Sequence, residues 1–159
     1  MKNLHLYELS QIDNIVTPDY FEHCTLASPA LDIFTDFKEH RPLMIEGDTL
    51  AIDAHNMMIK AHVQMKIVVT EHNDFLGVIS TKELSERNIV MEVAKGNPRN
   101  EVLVQDLMIP RASLHAFDYK ELEHSTVNDV VNALKNYGLR HCLVLDRDSH
   151  HIRGVISSS

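Results

Sequence analysis

The sequence predicts an α/β (α+β) protein made of two small repeats, each a short sheet with helices packed on it. Three observations carry this reading. The segment Gly77-Val-Ile-Ser80 returns unchanged as Gly154-Val-Ile-Ser157, at an offset of 77 (154 − 77). Each copy follows a second apolar run, Lys66-Ile-Val-Val-Thr70 or Cys142-Leu-Val-Leu-Asp146, across a short polar turn, as a hairpin requires. Ahead of each hairpin stands a stretch with helical periodicity. Self-similarity at fixed spacing in a 159-residue chain indicates two small units packed together.

Residues 1–27 match nothing else and read as an N-terminal extension. Leu6, Leu9, Ile12 and Ile15 predict a short helix there, ending before Pro18 and docking on the core. The first repeat, 28–95, opens at Ala30-Leu-Asp-Ile-Phe34, followed by a strand at Pro42-Leu-Met-Ile45 and a turn at Glu46-Gly-Asp48. Thr49 is the predicted N-cap of a helix that places Leu50, Ala54, Met57, Met58 and Ala61 on one face. The hairpin comes next, and a last helix is predicted from Ser80 through Arg87 towards Ala94.

Lys95-Gly-Asn-Pro-Arg-Asn100 is a breaker-rich linker. In the second repeat, 96–159, Val104-Gln-Asp-Leu-Met-Ile-Pro110 matches the opening segment and Leu114-His-Ala-Phe117 the first strand. Thr126 then caps a helix carrying Val127, Val130, Val131 and Leu134, with Gly138 as its C-terminal stop. The sequence ends at Ser159, where a final helix should begin, so a longer natural chain is expected, its C-terminal helix missing here.

Composition narrows the function. Acids outnumber Lys and Arg by 23 to 15, a net charge of −8 that argues against binding nucleic acid through a basic face. A local cluster of donors can still hold an anionic small molecule. No apolar run approaches a membrane span, and the N-terminus lacks a signal-peptide core, so no membrane association is expected. Cys24 and Cys142 lack metal-type spacing, and the simplest reading is a reduced cytoplasmic protein. The five glycines form no phosphate-binding loop, and neither Gly-Val-Ile-Ser copy is a nucleophile elbow, so no catalytic residue and no enzyme activity are expected. Among eleven histidines only Asp146-Arg-Asp-Ser-His-His151 gathers ligand types, in a hairpin turn without defined spacing, so no metal site is assigned.

The order strand-helix-strand-strand-helix, read twice, resembles a tandem pair of cystathionine-β-synthase (CBS) domains, a Bateman module, over residues 28–159. The residues that carry it are Val104–Pro110, the Arg140–Asp146 strand and both Gly-Val-Ile-Ser segments. The first repeat departs from the pattern at Asp36, where Pro is usual, and at Thr70, where a strand-ending Asp is usual. The resemblance implies two repeats about a pseudo-two-fold axis, with clefts that hold AMP, ADP, ATP or S-adenosylmethionine as regulatory ligand. It also implies a homodimer and a regulated protein partner. Some members bind no ligand and serve as dimerisation or interaction modules, an alternative here with Met65 and Phe75 closing the clefts. A stripe of Leu84, Arg87, Met91 and Ala94 on the helix after Ser80 points the same way, towards pairing.

Carried onto this chain, the ligand-contacting motif is Ser80, Thr81 and Glu83, the acid accepting hydrogen bonds from ribose hydroxyls. The same Ser-x-x-Glu pattern is also a capping box, and both roles fit. Ser157 begins the second copy, whose acid lies beyond the sequence. Arg140 and His141 stand where a basic pair can reach a phosphate, and Arg111 and Lys82 are further candidates.

Overall fold

The computed structural model describes residues 3–16 and 24–157. After a 3-10 turn at Ala30–Ile33 come β1 (Phe34–Asp36), β2 (Met44–Glu46), α1 (Ala51–Lys60), β3 (Met65–Val69), β4 (Phe75–Ser80) and α2 (Glu86–Ala94). The second half runs α3 (Val104–Leu107), β5 (Ile109–Pro110), β6 (Ala116–Asp118), α4 (Tyr119–Leu122), α5 (Val127–Tyr137), β7 (His141–Asp146) and β8 (His151–Ser157). They form two four-stranded sheets, β1-β8-β7-β6 and β2-β3-β4-β5.

Each sheet borrows its edge strand from the other half of the sequence. β1 runs antiparallel to β8, with Asp36 opposite Gly154. β5 runs antiparallel to β4, with Pro110 opposite Gly77. The repeated glycines follow from this exchange. A Cβ on Gly77 would stand 2.2 Å from the Ile109 carbonyl oxygen, and one on Gly154 would stand 2.1 Å from that of Thr35. Only glycine lets the crossing strand come so near. Residues leading into each borrowed strand also bond to the opposite half: Ala30 N–H donates to Ser125 O, and Val127 N–H to Ser28 O. Their counterparts are Ala51 N–H to Val102 O and Val104 N–H to Thr49 O. The correspondence is that of two halves related by a pseudo-two-fold axis.

Three apolar clusters follow from this layout. One packs Ala54 and Met58 of α1 against Val68, Ile79 and Leu84, closed by Val102 and Val104 from the second half. Its counterpart packs Val130 and Leu134 of α5 against Val144 and Ile156, closed by Ala30 from the first half. Ile67, Val69 and Val78 meet Leu143 in a third cluster that joins the sheets. Both hairpins shift register at matching places, Val68/Val69 and Val144/Leu145.

Several local expectations give way. α1 is capped by Leu50 rather than Thr49, and Met57 lies on the exposed side of the helix. Thr126 does cap α5, in a reciprocal pair with Asp129, and Gly138 stops it at φ 67°. Helix α2 begins at Glu86, not at Ser80, because Ser85 Oγ accepts from Asn88 N–H and takes the cap. Residues 81–85 form turns instead. In the extension no helix forms over residues 3–16, and Leu6, Leu9, Ile12 and Ile15 are exposed rather than docked. A strict spacing of three drifts around a helix of 3.6 residues per turn, so these side chains never make one coherent face. Pro18 lies outside the described residues.

Candidate ligand-binding cleft

A cavity of about 390 Å³ opens where the two halves meet. One wall is the end of β4 and the turn after it, Ser80 to Glu83, with Gln64 and Met65 at the start of β3 beside it. The facing wall is Gly138 to Leu143, the stop of α5 and the start of β7. Ile109 and Ser113 to His115 complete the lining from the segment before β6.

The Ser80–Glu83 turn is closed on itself. Both the backbone N–H and the hydroxyl of Ser80 donate to Glu83 Oε1, at 2.9 and 2.7 Å. Ser80 Oγ in turn accepts from Lys82 N–H at 3.2 Å, and Thr81 N–H is held by Gln64 O at 3.1 Å. The turn therefore fixes the Glu83 carboxylate at the cavity wall while the second carboxylate oxygen takes no part in the Ser80 bonds. With α2 starting only at Glu86, no helix N-terminus faces the cavity here.

On the other wall, His141 Nδ1 and Ser157 Oγ lie 2.7 Å apart. Burial lowers the His141 pKa, the Arg140 charge lowers it further, and the Glu83 carboxylate opposes both. Cys142 Sγ lies 3.6 Å from the His115 carbonyl oxygen, and burial raises its thiol pKa, which keeps it protonated and unreactive. Lys82, Arg140, His115 and His141 thus stand with a single acid, Glu83, in a protein of net charge −8. The cavity is a cationic spot on an acidic molecule.

Of the residues singled out from sequence, Ser80, Thr81, Glu83, Arg140 and His141 line this one cavity, as does Lys82. Arg111 does not: its guanidinium sits over the Phe75 ring, 5.8 Å from the centroid. Ser157 lies against His141. Sequence reasoning missed Ser113 and His115. Their signal was position alone, just ahead of a three-residue strand. Among the described residues no group of three or more His, Cys, Asp or Glu side chains is placed to share a metal ion. In the His-rich turn Asp146 Oδ1 instead accepts from the N–H groups of Asp148 and Ser149. No helix among the described residues is long and apolar enough to cross a membrane.

The CBS domain family model matches residues 33–88. No curated protein matches the sequence. Among solved structures, an uncharacterised conserved protein from Pyrococcus horikoshii superposes with a TM-score of 0.59 at 15% identity, covering 84% of this chain and 88% of that one. The protein CBSX2, solved in complex with AMP, gives a TM-score of 0.58 at 19% identity, covering 82% and 90%. The CBS domain pair of protein MJ0100, solved with 5′-methylthioadenosine and S-adenosyl-L-methionine, gives 0.54 at 18%, covering 86% and 91%. At such identities the likeness speaks for the fold. The family model thus identifies a CBS domain at residues 33–88, and the fold of the chain is that of CBS-domain pairs.

Proposed function

We propose that the chain is a regulatory module that senses an adenosine-containing ligand, AMP, ADP, ATP or S-adenosylmethionine, in the cleft between its repeats. The observation that carries this reading is the cavity itself, walled by Ser80–Glu83 from one half and Arg140–His141 from the other. Glu83 offers its carboxylate to ribose hydroxyls, and Arg140 with Lys82 offers charge to a phosphate. A ligand spanning both walls ties the two halves together, so occupancy changes how firmly they are held. The AMP bound to CBSX2 and the adenosine compounds bound to the MJ0100 pair support this ligand class. The module works without catalysis, in the cytoplasm, and passes occupancy to a partner protein or across a homodimer.

Thermal unfolding with and without nucleotide tests the reading. A ligand at a hundred times its dissociation constant stabilises the folded state by about 2.7 kcal/mol. For a chain of this size that raises Tm by about 5 to 10 °C. No shift with AMP, ADP, ATP or S-adenosylmethionine at millimolar concentration rejects sensing. The alternative, a ligand-free interaction module, then stands, favoured by the exposed Val90, Met91 and Val93 on α2.

A further inference from the structure

We propose that His141, oriented by Ser157, is an anion-binding residue of the cleft that takes up a proton when a phosphate-bearing nucleotide binds. The module would then read pH and nucleotide together. This rests on the adenosine-ligand reading above.

The argument starts from the partner of the imidazole. His141 Nδ1 lies 2.7 Å from Ser157 Oγ, a hydroxyl that both donates and accepts. Facing neutral imidazole, the hydroxyl can donate to a bare Nδ1. Facing imidazolium, it accepts from Nδ1–H and turns its own hydrogen away. A carboxylate there would hold the ring charged, and a backbone N–H would hold it neutral. Serine permits both states, and in both it fixes the ring plane while Nε2 stays outside that bond.

The surroundings set which state the empty cleft prefers. Half-burial disfavours the charged ring, and Arg140, just ahead of β7, repels a proton on it. Across the cavity stand Lys82 and, from the segment before β6, His115. The opposing acid is Glu83, whose Oε1 already receives two hydrogen bonds from Ser80. Cys142 beside the ring is kept as the neutral thiol by burial. The empty cleft therefore favours neutral imidazole. A phosphate placed among Arg140, Lys82 and His141 reverses the balance, because it brings negative charge into a partly desolvated site. The proton comes from solvent and no covalent bond changes. An adenosine compound without phosphate supplies no such charge.

The test follows the His141 ring protons by NMR across pH in the labelled full chain, free, with AMP, and with 5′-methylthioadenosine, the phosphate resonance of AMP being recorded alongside. AMP should raise the His141 midpoint by about one pH unit or more, and 5′-methylthioadenosine should leave it in place. Ser157→Ala should shrink the AMP-induced rise, and Ser157→Thr should restore it, a pattern that a merely structural role would not give. An unmoved midpoint with AMP bound, or an equal rise with both compounds, overturns the proposal while the adenosine reading stands. Where neither compound binds, the same titration is run with ADP and ATP, and binding of none of the adenosine compounds, S-adenosylmethionine included, removes both.

Discussion

Asp36 and Arg153, 117 positions apart, join by two hydrogen bonds of 2.9 Å, Nε to Oδ1 and Nη2 to Oδ2. The pair clamps β1, from the first repeat, onto β8, from the second. Arg153 also lies over the Tyr119 ring, 4.3 Å from its centroid. The carboxyl and guanidinium are each more than four-fifths removed from solvent, so the pair is better shielded than a surface bridge.

Asp36→Asn should cost about 1.5 to 3 kcal/mol at neutral pH, the range for a hydrogen bond to a charged group. The hydrogen bond from Arg153 holds the Asp36 pKa below its ordinary value, against an upward push from burial. A depressed carboxyl pKa contributes stability above the unfolded value, and that contribution fades as pH falls through the folded one. The gap between wild type and variant in urea unfolding should therefore be full at pH 7 and shrink below pH about 4. A gap that stays constant across this range contradicts the account.

Gly77→Ala and Gly154→Ala should each destabilise by about 1 to 3 kcal/mol, the usual cost of forcing atoms into a packed site. The added methyl would meet a backbone carbonyl at both positions, and at Gly154 also the Phe34 ring. Backbone yields less readily than a side-chain tip. Unchanged denaturation midpoints would show that the borrowed strands are loosely held.

Val68 and Val144 are fully buried in equivalent central strands. Truncating either to Ala should cost about 1 to 3 kcal/mol through lost burial and the cavity left behind. Because the third cluster and both borrowed strands tie the halves together, each variant should unfold in one thermal transition. Two separated transitions would mean that the halves unfold independently.

Glu83→Ala should remove most of the AMP-induced rise in Tm, since the ribose loses its acceptor. The Ser80 bonds vanish too, lowering ligand-free stability by about 1 kcal/mol. The ligand-induced shift, rather than the absolute Tm, isolates the binding role. A variant with an undiminished shift places the ribose elsewhere.

Pairing makes a further prediction. Leu84 of the expected pairing stripe is buried in the core ahead of α2, and the exposed large apolar side chains on the helix are Val90, Met91 and Val93, at 53%, 51% and 41%, a patch that a second copy would cover. Sedimentation at micromolar concentration should show a dimer of 18.1 kDa chains, and Met91→Glu should shift it towards monomer. A wild-type protein that sediments only as a monomer rules pairing out.

The repeat was legible because four identical residues mark two strand ends at equal distance from their helices. What crosses those strands was not. β1 and β5 are three and two residues long, too short to carry a period, and their partners lie far along the chain. Asp36 read as a departure from pattern because Arg153, which explains it, sits in the other repeat. Ser80 looks like a helix start because Ser80-x-x-Glu83 is a capping pattern, but the Ser85 side chain takes the cap five residues later. The basic pair Arg140–His141 was legible as a phosphate candidate, since charge beside a buried strand is conspicuous. Its serine partner was not, because only the β7–β8 register sets Ser157 opposite His141.

The traded edge strands also bear on ancestry. A protein consisting of one such repeat would leave its glycine-bearing strand without a neighbour and its own leading strand without a place. Two molecules could satisfy each other only by exchanging leaders, at a cost in association entropy that depends on concentration. Joining two copies head to tail through a linker such as 95–100 makes the exchange intramolecular. On this view the present chain is a tethered version of an older handshake, and the later divergence of its halves was free to equip one shared cleft with two unlike walls.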